Sequence, residues 1–236
     1  TLVAMYDPSL KDSLKSLEES MPVVLAAFGM QDMGTTLLDF IITYLYKFVL
    51  IVTPFIYSIV MCYRLLAKYV ENGSLAYLLN SKHGRTKIVI TQWVNLFLGL
   101  VVMIAFNTGL MIVCCSMMFK GSLDIPRFLL LNLGLLALQL FIAAFCFMFA
   151  CLFNDVKYSI GCGAGVISLF IIMQMFFSVY DSAKILLYCN PLSLFNPQQL
   201  VNGNIVSVIS LVVLTGLTIA FLSIGLLGFK RKDLPL

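Results

Sequence analysis

An all-α integral membrane protein is the fold class this sequence predicts, and three observations predict it. Residues 88–119, 128–154, 158–180 and 204–229 are runs without a single charge, each long enough to cross a hydrocarbon core of roughly 30 Å, which takes about 20 helical residues. Hydrophobic residues make up 61% of the chain and charged residues 11%, where soluble domains carry roughly 25%. Mean hydropathy is +1.02. The basic residues collect on alternate connections: Arg64, Lys68, Lys82, Arg85, Lys87, Lys157, Lys230, Arg231 and Lys232 on one side, against Lys11, Lys15, Lys120, Arg127 and Lys184 on the other. The positive-inside rule makes the richer side cytoplasmic.

The elements follow in order within one transmembrane domain covering 1–236. Residues 1–34 read as an outer amphipathic segment. Asp7 before Pro8 is a helix start, an acceptor at the cap followed by proline at the first helical position. Leu10, Leu14, Leu17 and Met21 then recur at helical spacing among charged residues. The first visible span covers 35–65, with the charge-free stretch 48–63 framed by Lys47 and Arg64. Pro54 inside it is expected to kink it. Residues 66–87 form a cytoplasmic connection. Spans follow at 88–119, 128–153 and 158–180, the last two joined by a tight inner turn at 154–157. Residues 181–203 read as an outer re-entrant or interfacial segment. In it Asn190 before Pro191 and Asn196 before Pro197 are turn signals, and Asn196 caps a short helix ending at Gly203. The last span is 204–229, and 230–236 is a basic cytoplasmic tail. Five spans are visible. The opening residues Thr1 to Met5 read like the end of another apolar run, which makes six spans in the full chain the expectation.

Much chemistry is excluded by residue types. The one histidine, His83, lies in a connection, so a histidine-based hydrolase or metalloprotease site inside a span is not available. No Gly-Lys dipeptide occurs, so the phosphate-cradling loop of P-loop ATPases is absent. The seven cysteines contain no Cys-x-x-Cys pair; six lie in spans or at their ends and read as small buried hydrophobes, and Cys189 lies on the outer side. No basic patch interleaved with aromatics points to nucleic acid. The chain is therefore read as a non-enzymatic membrane subunit that holds no cofactor or metal of its own.

The connection 66–87 carries the sharpest local pattern. Gly73 and Ser74 break the preceding helix. Leu75, Leu78 and Leu79 share one face of a short helix, a turn follows at 81–84, and Arg85 and Lys87 lead into the next span. This makes a short amphipathic helix at the cytoplasmic surface between two long spans, placed to pass force from a soluble partner or to serve as a passive linker. The order Glu71, Gly73, Ser74, Leu75, Leu78, Leu79, then Ser81, Arg85 and Lys87, resembles the permease subunits of ABC-2 type exporters. So do the outer stretches 5–8 and 19–22 with Phe28-Gly29, the segment Asn190 to Pro197, and the basic ending 229–234. The resemblance covers essentially the whole chain.

That resemblance implies a permease that pairs with a second copy, a homodimer, and with two ABC ATP-binding subunits that hold the ATP and Mg. The short helix between the first two visible spans docks on the ATPase, with Glu71, Gly73, Ser74, Leu75, Leu78, Leu79, Arg85 and Lys87 as the coupling residues. It also implies a bacterial cytoplasmic membrane as the location and an amphipathic peptide, of the phenol-soluble-modulin or antimicrobial type, or a lipid as cargo. A secondary transporter and a non-transport sensor or scaffold stay open as alternatives.

Polar groups inside the spans are the remaining candidates. Lys47 is either an anchor or part of a substrate path, since 48–63 is only about 24 Å long and lets Lys47 and Arg64 snorkel to opposite surfaces. Asn95, Asn107, Asn132, Gln139 and Gln174 are expected to face protein or a cavity rather than lipid, and Asn95, Asn107, Gln139 and Gln174 are candidates for the substrate path. The run Gly161-x-Gly163-x-Gly165 permits close helix contact, with Gly161 and Gly165 at the Gly-x-x-x-Gly spacing, within the subunit or between copies.

Overall fold

The computed structural model describes residues 20–21, 37–71, 85–118, 123–179 and 190–231. Among these there is no strand, and the chain is an all-α membrane protein. The first helical rod runs through α1 (Leu37–Ile41), a π-turn (Ile42–Tyr46), α2 (Val49–Cys62), a second π-turn (Tyr63–Ala67) and α3 (Lys68–Glu71). Then come α4 (Arg85–Met118), α5 (Ile125–Leu152), α6 (Val156–Val179), a 3-10 turn (Pro191–Leu194), α7 (Pro197–Val201) and α8 (Ile205–Arg231). Among the described residues, five helices are long and apolar enough to cross a membrane: Val49–Ala67, Thr86–Met118, Ile125–Leu152, Val156–Phe176 and Ile205–Arg231.

Local chemistry sets the ends of these helices. The carboxylate of Asp124 accepts a hydrogen bond from the Arg127 backbone N–H at 3.3 Å, and Pro126 stands in the first turn of α5, where a missing N–H costs nothing. Only Phe153, Asn154 and Asp155 separate α5 from α6, and Asp155 caps α6 by accepting from the Lys157 N–H at 2.8 Å. Gly203 has φ +70°, a left-handed conformation open to glycine, and turns the chain from α7 into α8. Lys230 and Arg231 lie in the last turn of α8, where cations complement the helix dipole.

The first rod combines the internal proline with two π-turns. Pro54 sits within α2, and the Ser58 hydroxyl donates to the Pro54 carbonyl at 2.9 Å. The departures from α geometry are the two π-turns on either side, each of which holds one extra residue in its turn.

The chain divides into two compact units, and the long helices contribute residues to both. The described residues of the first are 37–52, 104–118, 123–135, 170–179 and 190–211. Its core includes Ile41, Ile42, Tyr46, Phe128, Leu131, Leu135, Leu192, Phe195 and Leu200. Phe128 meets Tyr46 edge to face, with ring centroids 6.2 Å apart. The segment after residue 190 is held by its asparagines. Asn190 accepts from the Leu192 N–H at 3.0 Å and donates through Nδ2 to the Phe170 carbonyl at 2.8 Å, while Asn196 caps α7 through the Gln199 N–H at 3.3 Å. α7 lies against the π-turn Ile42–Tyr46. Leu200 and Phe195 cover Gly134 of α5, so closely that a Cβ there would come within 2.6 Å of Leu200 Cδ2.

The described residues of the second unit are 53–71, 85–103, 136–169 and 212–231. α5 supplies most of its core, with Leu138, Phe141, Ile142, Ala143, Ala144, Phe147, Ala150 and Cys151 buried. Trp93 of α4 packs on Phe147 at 5.5 Å, and Phe221 of α8 packs on Phe141 and Phe145 at 5.8 and 5.2 Å. Glycines let the neighbours approach. A Cβ at Gly163 of α6 would lie 3.3 Å from Cys146 Cα, and one at Gly225 of α8 would lie 3.2 Å from Met148 Cα. Gly99 of α4 is covered by the Tyr57 ring of α2. Along the whole of α5, 72% of its most apolar stretch is buried, against 17% for α6 and for α8. α5 is thus the helix around which both cores form.

Candidate functional site

The most developed polar arrangement in the structure is a buried junction of three side chains in the first unit. Tyr46 closes the first π-turn, Thr108 lies on α4 and Asn132 on α5. The Tyr46 hydroxyl donates to Asn132 Oδ1 at 2.8 Å. The Thr108 hydroxyl lies 2.8 Å from the same Oδ1 and 2.7 Å from the Ile104 carbonyl, so its one proton is shared between two acceptors. Asn132 Nδ2 donates to the Phe128 carbonyl at 2.8 Å. Tyr46 and Asn132 are 1% and 6% exposed, so water does not compete for these bonds. The junction ties three helical elements together. Removing one member leaves buried polar partners unsatisfied, at a cost of about 1–3 kcal/mol.

A second feature lies in the other unit. Ile59, Cys62, Tyr63, Cys146, Ser159, Ile160, Gly163 and Ala164 line a cleft of about 10 Å³, room for one water molecule, where α2 passes into the second π-turn. It is too small for a peptide or a lipid. Cys62, Cys146 and Cys151 are buried thiols, and burial among apolar groups leaves thiols unreactive. Among the described residues no group of three histidine, cysteine or acidic side chains is placed to hold a metal ion.

The residues singled out from sequence are dispersed. Of the coupling set, Gly73, Ser74, Leu75, Leu78 and Leu79 lie outside the described residues, as do nearly all of 1–34, residues 181–189 and 232–236. Glu71 ends α3, Arg85 opens α4, and Lys87 is exposed, its carbonyl accepting from the Thr91 hydroxyl at 2.9 Å. Of the path candidates, Lys47 is half-buried between the first π-turn and α2, Gln139 is fully buried, and Asn107 and Gln174 are half-buried. Asn95 is exposed on α4. The asparagine that the structure does bring into a network is Asn132. Its partners Tyr46 and Thr108 went unnoticed in the sequence, where a hydroxyl in an apolar run is the only trace they leave.

The structure distinguishes the glycines of the Gly161-x-Gly163-x-Gly165 run. Gly161 and Gly165 face open space, with nothing described within 4 Å of a Cβ at either. Packing inside the subunit uses Gly163 instead, because residues two apart on a helix point to nearly opposite sides.

A protein-family model described as "Protein of unknown function (DUF2705)" matches residues 14–235. No curated protein and no solved structure matches the chain.

Proposed function

We propose that this chain, which belongs to the DUF2705 family, is the membrane-spanning subunit of an ATP-driven exporter, with nucleotide hydrolysis on a separate P-loop subunit. The observation that carries the reading is the pattern from Glu71 to Lys87: a helix break, a three-leucine face and a basic entry into α4, set between two spans on the basic side of the membrane. A soluble ATPase gripping that short helix would push on the first rod and on α4 at once. The first rod carries two π-turns, and such turns recur at functional sites. Two packings of the helices that differ by a few kcal/mol suffice for a partner to drive the change.

The cargo in this reading is hydrophobic or amphipathic, a peptide or a lipid, because the spans carry so few charges. The membrane is a bacterial cytoplasmic membrane, and the permease works as a homodimer with two ATPase copies that bind ATP and Mg. The experiment is affinity purification of the full chain from its native membrane. A co-purifying P-loop ATPase, with ATP-dependent movement of an amphipathic peptide or a fluorescent lipid in reconstituted vesicles, is the expected result. Purification without any ATPase, or transport that proceeds without ATP, would end the proposal.

A further inference from the structure

Among the described residues, α4 turns an exposed face outward, and that face is not purely apolar. Thr91, Asn95, Leu98 and Val102 follow one another at intervals of four, three and four residues, and all four are exposed. The spacing continues on the same unbroken helix through Ala105 and Gly109, also exposed, and a Cβ at Gly109 would meet nothing described within 4 Å. This is the alternation of a helix seam that meets another helix along its length. Leu98 and Val102 are 51% and 66% exposed.

Asn95 makes the seam more than a lipid-facing stripe. It lies eight residues beyond Lys87, about 12 Å further along the axis. Its amide makes no hydrogen bond among the described residues, and facing acyl chains it would find no partner either. Thr91 and Ser116, two exposed hydroxyl residues of α4, satisfy themselves on the Lys87 and Val113 carbonyls. An asparagine amide that points outward two turns inside the membrane is built for a partner helix.

The geometry points to a second copy of this chain as that partner, with α4 pairing against α4 through Thr91, Asn95, Leu98 and Val102. Two copies inserted in the same direction are related by a twofold axis along the membrane normal, which places each seam residue opposite its own counterpart. An amide is self-complementary, with one acceptor and a donor pair, so Asn95 satisfies Asn95 of the other copy. Ala105 and Gly109 then let the backbones approach. Lipid cannot supply the hydrogen bond. A different membrane protein would need a matching polar group at the same depth. The inference rests on the homodimer of the transport reading and locates its contact, and because the contact needs neither ATP nor an ATPase, its failure in cross-linking is separate from a failure to co-purify an ATPase.

The test is disulfide cross-linking of the full chain in the membranes of cells that express it, with copper phenanthroline and oxygen as oxidant. Leu98→Cys and Val102→Cys sit on the seam. Leu110→Cys is the control, 47% exposed but turned about 100° from the seam. The chain with only its native cysteines supplies the background. Covalent dimer several-fold above the Leu110→Cys level at both seam positions is expected. Adding Asn95→Leu to Leu98→Cys should lower the dimer yield roughly three- to tenfold, the weight of one interhelical amide bond, and Asn95→Gln should retain it. Asn95→Leu removes an outward group and leaves the internal packing intact, which an unchanged melting temperature in detergent would verify. Equal cross-linking at 98 and 110 means that the face meets lipid or another chain and overturns the proposal. So does a dimer yield indifferent to Asn95→Leu.

Discussion

Tyr46 and Asn132 stand 86 positions apart in the chain and are joined by a 2.8 Å hydrogen bond in a dry interior. The donor closes a π-turn, and the acceptor sits on α5, the most buried of the five described spans. A π-turn is a poor helical conformation in isolation, so the hydrogen bond and the edge-on contact with Phe128 hold it in place.

Removing the acceptor should therefore cost more than removing the donor. Asn132→Leu strips Tyr46 and Thr108 of their shared partner, and a loss of about 1–3 kcal/mol is expected. Tyr46→Phe keeps the ring and loses one bond, for about 0.5–1.5 kcal/mol. Melting temperatures of the purified protein in one detergent give the order. Equal stability of Asn132→Leu and the parent would mean that the junction contributes nothing.

Neighbouring glycines on α6 should respond oppositely to the same substitution. Gly163→Val forces a branched side chain against the Cys146 backbone, where even a Cβ would be at 3.3 Å, and overpacking of that kind costs about 1–3 kcal/mol. Gly161→Val enters open space and should leave the melting temperature of the monomer unchanged or raised. The reverse order in a thermal scan would contradict the packing of α6 on α5.

Gly99 and Tyr57 offer a rescue experiment. Gly99→Ala places a methyl group against the hydroxyl tip of Tyr57, which must shift, and should destabilise the protein. Tyr57→Leu in the same chain clears the space, so the double variant should lose less than the sum of the two single losses, with a coupling of about 0.5–3 kcal/mol. Strict additivity in a double-mutant cycle would show that the two side chains do not meet.

Replacing Leu75, Leu78 and Leu79 together with Asp should release the ATPase of the proposed exporter while the spans still insert. The readout is the amount of co-purified ATPase beside the amount of membrane-inserted chain. Full retention of the ATPase would remove the coupling role from this helix.

The spans could be read from the chain because crossing a bilayer is a demand on local composition. Each charge-free run met it regardless of what lay nearby, and α4, α5, α6 and α8 begin and end within a few residues of those runs. The turn at Asn190 and the cap at Asn196 were legible for the same reason, since each bonds to an N–H two or three residues away. The π-turns left no such mark, because an extra residue in a turn answers to what packs against it.

Facing was hidden. The spanning helices are apolar on every side, so periodicity names no inward stripe, and Asn95, Asn107, Asn132 and Gln139 read alike. Assembly of the bundle separates them: Asn132 meets Tyr46 and Thr108, while Asn95 is left pointing outward. It likewise chooses Gly163 over Gly161 and Gly165. Membrane residence follows from a sum along the chain. The pairing of polar groups follows from rotation about each helix axis, and that angle exists only once the neighbouring helices have packed.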